Sequence, residues 1–252
     1  MGFTLLIWSL CALNKRFAVL AICVIVAFSI LPGASWYETT APDGFLAVDT
    51  SFGRLGSGSF HFEQDYERVQ YVFEDLRQRD LKNAETRCIV LPETIAGRFN
   101  PSALDLWRRE LGKLVKSGTA IIFGGEIPTN DGRKYDNVAM MLHEGEITAV
   151  PQRIPVPYSM YRGPFAESGA NLHLFEDGIL DLPDGRKAAV VICYEAYLTW
   201  PYLVSMRHKP DMIISIANLW WCRETSLPIT QRNTVALWGL LFGVPTIFAA
   251  NL

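Results

Sequence analysis

Apolar positions along the chain fall into two regimes. Phe17 to Leu31 (FAVLAICVIVAFSIL) form one run of fifteen residues in which only Ser29 is polar. From about residue 43 onward, apolar residues come in short blocks or at helical intervals between polar stretches. There, Gly44 to Thr50 predicts a strand entering a turn at Gly53, with Gly56 and Gly58 extending the loop. Phe62, Tyr66, Val69, Phe73 and Leu76 recur at helical spacing with acids and arginines on the other face, which predicts an amphipathic helix. Cys88 to Leu91 is a buried strand stopped by Pro92, and Leu104 to Val115 is a second amphipathic helix behind Pro101-Ser102. Ala120 to Phe123 predicts a strand running into Gly124-Gly125. Val138 to Leu142 and Ile147 to Val150 flank His143-Glu144-Gly145-Glu146, the pattern of a hairpin. Lys187 to Cys193 and Met212 to Ala217 are apolar strands, Thr230 to Leu241 is helical, and Thr246 to Ala250 is a last strand. Helices alternating with wholly apolar strands predict an α/β domain, with helices covering a sheet on at least one face. No repeat or low-complexity linker interrupts it, so one domain is expected over 43–252.

The first regime predicts a membrane segment. The fifteen-residue run spans about 22 Å, short of the roughly 30 Å hydrocarbon core. Extension through Trp36-Tyr37 gives roughly 20 residues with two aromatics at interfacial depth. A second run, Phe3 to Leu13, is too short to span alone. Two outcomes fit: an anchor over residues 1–36 with one spanning helix at about 17–36, or a signal peptide cleaved near Ala34 or Ser35. The length of the run and the flanking Phe3–Leu13 stretch favour the anchor. Lys15-Arg16 precede the run and Glu38, Asp43 and Asp49 follow it. The positive-inside rule then puts everything after residue 36 outside the cytoplasm, on the periplasmic side of an inner membrane.

Composition narrows the function. Half of the residues are apolar and 19% are charged, which excludes a disordered chain. Twenty-three Lys and Arg against 26 Asp and Glu leave a net charge of −3, so the basic footprint of a nucleic-acid binder is missing. The mean hydropathy of +0.15 comes largely from the N-terminal run. Cysteines at 11, 23, 88, 193 and 222 form no CxxC pair and no His-spaced zinc pattern, so neither a metal nor a cofactor is expected. The histidines at 61, 143, 173 and 208 are scattered, and solvated surface is expected for each.

Two residues share a placement suited to chemistry. Glu93 directly follows the strand CIVLP, and Cys193 directly follows the strand KAAVVI. Side chains at the carboxyl ends of strands emerge into a crevice in α/β sheets. A carboxylate and a thiol at neighbouring strand ends make a base–nucleophile pair, the Glu taking the thiol proton and returning it to a leaving amine. Against this stands the commoner fate of a strand-end cysteine, which is plain burial.

The words LPET, YDNVAMMLHEGEI, ICYEAYLTWP, DMIISIANLWW and FGVPTIFAAN resemble, in order and spacing, the carbon–nitrogen hydrolase (nitrilase) superfamily. Within it the chain is more distantly similar to the apolipoprotein N-acyltransferases. The conjugal transfer TraB family is closer, with VDTSFG, LDLWRREL, RIPVPYSMY, ICYEAYLTWP and FAAN as counterparts over roughly residues 44–252. The resemblance implies a four-layer αββα sandwich, here behind the N-terminal membrane segment. It also implies a Glu–Lys–Cys triad, with Glu93 as general base and Cys193 as nucleophile. The lysine position, counted back from Pro157 in PQRIPVP, falls on Gln152, with Arg153 one residue off register. A further family glutamate falls near Met160, where no acid stands. An oxyanion-hole donor is worth about 10²–10³ in rate, so these two departures count against unmodified chemistry. Gln152 could donate a neutral hydrogen bond and Arg153 could swing in, though a guanidinium does not replace an ammonium. Glu195 is expected to make a structural hydrogen bond near Cys193. Asn218 and Trp220 fall where nitrilases line the pocket, while the pair Trp220-Trp221 equally suits an interaction or membrane-facing surface.

Three functions remain. One is a membrane-anchored TraB-type protein of plasmid conjugal transfer with Cys193-dependent amide hydrolysis or acyl transfer through a thioester. The second is a non-catalytic nitrilase-fold binding or assembly protein. The third, lipoprotein N-acylation, is disfavoured by Gln152, by Met160 and by the few helices that fit before residue 43. The sequence stops at Ala250-Asn251-Leu252, before the further strands of soluble nitrilases, so a short sandwich is expected. The expected partners are the membrane, proteins of the conjugation apparatus and a second copy of the chain, without direct nucleic-acid binding.

Overall fold

The computed structural model describes residues 41–53, 62–78, 86–98, 101–114 and 118–252. The chain divides into two compact units, Met1–Glu38 and Thr39–Leu252. The expected membrane segment over 1–36 lies outside the described residues. Among the described residues no helix is long and apolar enough to cross a membrane.

Two sheets form the second unit. One has the order β1 (Phe45–Ala47), β2 (Cys88–Val90), β3 (Ala120–Pro128), β4 (Lys134–His143), β5 (Glu146–Pro151), with β6 (Gly169–Ala170) beside β4. β1, β2 and β3 run parallel, and β3, β4 and β5 are antiparallel. In the other sheet β10 (Thr246–Asn251), β9 (Met212–Asn218) and β8 (Lys187–Ile192) are parallel, and β7 (Ile179–Asp181) pairs antiparallel with β8.

Side-chain alternation stacks these sheets between helices. Ile89, Ile121, Phe123, Val138 and Met140 face one way, against Val69, Phe73 and Leu76 of α1 (Phe62–Gln78) and Leu106 and Trp107 of α2 (Pro101–Leu114). Their strand neighbours Val90, Ile122, Ala139 and Met141 face the opposite way, against Val190, Ile192, Ile214, Ile216 and Ile247 of the second sheet. That sheet's outer residues Val191, Ile213 and Phe248 meet Tyr202 of α3 (Thr199–Met206) and Val235 of α4 (Leu227–Phe242). The order is helix, sheet, sheet, helix. Strands buried on both faces must be apolar throughout, which is why they read as unbroken runs.

Some expectations shift in detail. The strand from Ala120 continues through Gly124-Gly125 to Pro128, because β4 pairs along its whole length. The hairpin turns at Glu144 (φ 48°) and Gly145 (φ 83°), the two positive φ angles of a type I′ turn. Tyr66 of α1 is exposed rather than on the inner face. Helix α3 and the short strands β6 and β7 carry no periodic signal in the sequence.

Candidate active site

Cys193 sits at a sharp turn where β8 ends. It adopts φ +49° and opens a one-turn 3-10 helix, Cys193–Tyr197. A non-glycine residue held there stores on the order of 1–3 kcal/mol of strain, which the surroundings must sustain. Glu195 does much of that. Its carboxylate accepts the backbone N–H of Ile192 at 3.0 Å, of Ile154 at 3.1 Å and of Arg153. From α4, Gln231 Nε2 donates to the carbonyl of Cys193 at 2.8 Å.

Glu93 arrives from the other sheet, three residues beyond the end of β2 and two beyond the backbone bond from Leu91 N to Ile122 O. The next residue, Thr94, has φ 59°. This turn lies directly on β3. A Cβ on Gly124 would come within 2.5 Å of Glu93 Cα and 2.6 Å of Thr94 N, so only glycine admits the approach. The turn brings the Glu93 carboxyl beside the Cys193 thiol, near enough that each group shifts the protonation of the other.

Burial dominates the electrostatics of the pair. Glu93 is pushed up to about 7, chiefly by desolvation, against the opposing hydrogen bonds from Cys193, Asn137 and the backbone of Asn218. The thiol of Cys193 is pushed well above its ordinary value by burial and by the charge of Glu93. Backbone hydrogen bonds from Asn218 and Tyr194 pull it the other way. The resting pair is therefore a thiol facing a carboxyl that titrates near neutrality, with main-chain N–H donors beside the sulfur.

Asn137, on β4, bridges Glu93 to Gln152. Its Nδ2 donates to Glu93 Oε1 at 2.7 Å and to Gln152 Oε1 at 2.9 Å. Gln152 Nε2 in turn donates to the carbonyl of Ile192 at 2.9 Å. Gln152 thus stands beside the nucleophile strand, at the place where a lysine was expected, with its amide already engaged. Arg153 does not swing toward the thiol. It is fully buried, paired with Glu195 at 3.4 Å, and donates to the carbonyls of Val190, Asp177 and Pro201 and to Ser205 Oγ. Gly178 leaves room for the guanidinium, since a Cβ there would overlap it.

Asn218 is the last residue of β9, beside the Glu93–Cys193 pair, and Trp220 opens the short turn that follows. Asn251 Nδ2 donates to Asn218 Oδ1 at 2.9 Å, and Asn251 Oδ1 accepts from Thr50 Oγ1 and Phe52 N. Trp220 is partly buried, Trp221 is 62% exposed, and Met160 is partly buried. Cys222 is buried and donates to Leu219 O. His173 is not simply solvated, because its Nε2 lies 2.7 Å from Asp136 Oδ1, and His61 lies outside the described residues. Among the described residues no group of His, Cys, Asp or Glu could hold a metal ion.

Four polar residues of this region escaped sequence reasoning: Asn137, Glu126, Gln231 and Asn251. A signal existed for the first two. Asn137 and Glu126 are polar at positions that continue the inward alternation of Ala139 and Met141, and of Ala120 and Ile122. Gln231 carries no such mark.

No family model matches the chain. It is 33% identical to the conjugal transfer protein TraB of Agrobacterium fabrum over 253 residues, which is 96% of this chain and 56% of that protein. It is 29% identical to a probable TraB of Sinorhizobium fredii over 89% of this chain and 56% of that protein. A weaker similarity, 24% over 46% of the chain, reaches an apolipoprotein N-acyltransferase of Chlamydia muridarum. Among solved structures the fold matches an amidase of Nesterenkonia AN1 from the nitrilase superfamily, with TM-score 0.58 and 13% identity over 84% of this chain and 79% of that one. In a variant of that amidase, acrylamide has added to the active-site cysteine by Michael addition. The chain thus shares the fold of a nitrilase-superfamily amidase. In sequence it is similar to the TraB conjugal transfer proteins, and it spans about half the length of those relatives.

Proposed function

We propose that the chain is a cysteine-dependent amide hydrolase or acyl transferase acting in plasmid conjugal transfer. The observation that carries this is the meeting of Glu93 and Cys193 from two sheets at a strained strand end, where each shifts the protonation of the other. Ionised Glu93 takes the thiol proton as Sγ attacks the carbonyl carbon of an amide. The tetrahedral oxyanion is met by main-chain N–H groups. Its collapse breaks the C–N bond, Glu93 returns the proton to the leaving amine, and a thioester remains on Cys193. Water or an acyl acceptor then loses a proton to Glu93, attacks the thioester, and releases the thiol. Exposure to acyl donors, followed by intact-mass measurement, tests this. An acyl adduct on Cys193 that is absent in Cys193→Ala supports it. No adduct, together with normal plasmid transfer by Cys193→Ala, overturns it.

A second reading, a non-catalytic binding or assembly protein, draws on Gln152. Its amide is tied to Asn137 and Ile192, so the site lacks the mobile cation that the superfamily resemblance implies. Hydrolysis gained in Gln152→Lys but absent in the wild type would favour that reading.

We further propose that residues 1–36 anchor the protein in the inner membrane with the nitrilase-like domain in the periplasm. The apolar run and Lys15-Arg16 support this. Its partners there would be proteins of the conjugation apparatus or a second copy. Alkaline extraction of membranes tests the anchor. Protein remaining in the pellet is the expected result, and full release contradicts it.

A further inference from the structure

Asn137 Oδ1 is a buried oxygen with no hydrogen-bond partner, although the other end of the same amide makes two. Such an acceptor costs on the order of 1–3 kcal/mol if left unpaired. The amide cannot gain by turning over. Gln152 is held by Ile192 O, so the flipped Asn137 would set its oxygen against both Gln152 Oε1 and Glu93 Oε1. Directly opposite Asn137, on the neighbouring antiparallel strand, stands Glu126. Opposed residues share a face with Cβ atoms about 4.5–5.5 Å apart. Both residues are buried, and their pairing puts the two side chains on one face of the sheet. A buried acceptor without a donor is satisfied by a neighbouring carboxyl that keeps its proton.

We propose that Glu126 is a positioning residue, a neutral carboxylic acid that donates to Asn137 Oδ1 and so aims Asn137 Nδ2 at Glu93. The inference rests on the Glu93–Cys193 pair proposed above and extends it by one link. The groups facing Glu126 agree with a retained proton. Burial and the charge of Glu93 push it up to about 7, against Arg98, which pulls down. Tyr135, two residues before Asn137, is itself pushed up by burial first and then by the charges of Glu126 and Glu93. Arg98 is turned toward the carbonyl of Gly132, and Arg162 acts on Tyr135 from outside. When Glu126 ionises, its carboxylate repels Asn137 Oδ1 and the hold on Glu93 loosens.

Acrylamide alkylation of Cys193 in the full-length protein, followed against pH, tests the assignment. Glu126→Leu removes the donor and should slow alkylation by about three- to tenfold below pH 7, where the wild-type acid keeps its proton, the equivalent of one hydrogen bond, with the gap closing above pH 7. Glu126→Gln supplies a donor that does not titrate. It should stay within about twofold of the wild type near pH 6 and rise more steeply through pH 7 than the wild type, in which ionisation of Glu126 blunts the gain from ionised Glu93. Wild-type rates and an unchanged pH profile in Glu126→Leu overturn the proposal. An infrared measurement reads the proton itself in the Glu93→Gln background, near pH 6. A protonated-carboxyl band that disappears on adding Glu126→Gln supports the assignment, and an unchanged spectrum overturns it. This arm decides even if Cys193 proves unreactive, an outcome that would refute the proposed activity alone.

Discussion

Arg153 and Glu195 form an ion pair in which both side chains are essentially free of solvent, immediately behind the turn that carries Cys193. The pair is a bracket for the strained elbow. Arg153 gathers Val190 O from β8 and Pro201 O from α3, and Glu195 gathers the N–H groups of Ile192, Ile154 and Arg153. Removing one partner of such a pair leaves a buried charge without its mate.

Arg153→Met and Glu195→Gln should therefore each cost about 3–5 kcal/mol. For a domain of this size that corresponds to a fall of roughly 6–20 °C in Tm. The double substitution should cost less than the sum of the two, because neither charge is then left alone. Thermal unfolding of the three variants measures this, and additive losses would show that the pair is not coupled.

The sequence showed the strand ends well and their supporting contacts poorly. The runs CIVL, KAAVVI and MIISIAN are apolar because they lie between two layers, and that continuity located Glu93 and Cys193 at their ends. What tied these residues down was not legible. Arg153 looked like a near miss for a catalytic lysine, yet it is a buried structural cation, because its partner Glu195 lies 42 residues away. Gln231 contributes through a contact 38 residues distant from Cys193, and Asn251 meets Thr50 across 201 residues. Pairings of that range are set by topology, which the local pattern does not encode. Helix α3 escaped for another reason: TWPYLVSM has no polar face to mark a helical period.

Glu93 and Glu126 are both held up near 7 by burial, so the folded state keeps protons that the unfolded chain releases above about 4.5. Stability from these groups is complete below that value and is lost as pH rises through 7, at a cost on the order of 3 kcal/mol for each group that ionises in place. The denaturation midpoint should fall between about pH 4.5 and 7.5, and fall less in Glu126→Gln. A midpoint that rises over this window would contradict the assignment. Asp131 and Asp184 are held below their ordinary range and act only at lower pH.

Gly124→Ala places a methyl 2.5 Å from Glu93 Cα in a layer with no slack. Overpacking of this kind costs about 1–3 kcal/mol and displaces the turn. The variant should keep its fold, as judged by circular dichroism, and lose most of the fast alkylation of Cys193. Retention of the wild-type rate would mean that the position of Glu93 is not critical.

Activation of Cys193 by Glu93 is read most directly from the acrylamide alkylation rate of each cysteine, followed by peptide mass in native and unfolded protein. Cys88, pushed up to about 12 by burial, and Cys222 serve as internal controls that should remain unmodified in the native state. Native Cys193 should react faster than its unfolded counterpart near pH 8. The rate should rise through about pH 7 as Glu93 ionises, and drop at least tenfold in Glu93→Gln. A native Cys193 that reacts no faster than the unfolded thiol, or equally fast without the Glu93 carboxylate, would contradict it.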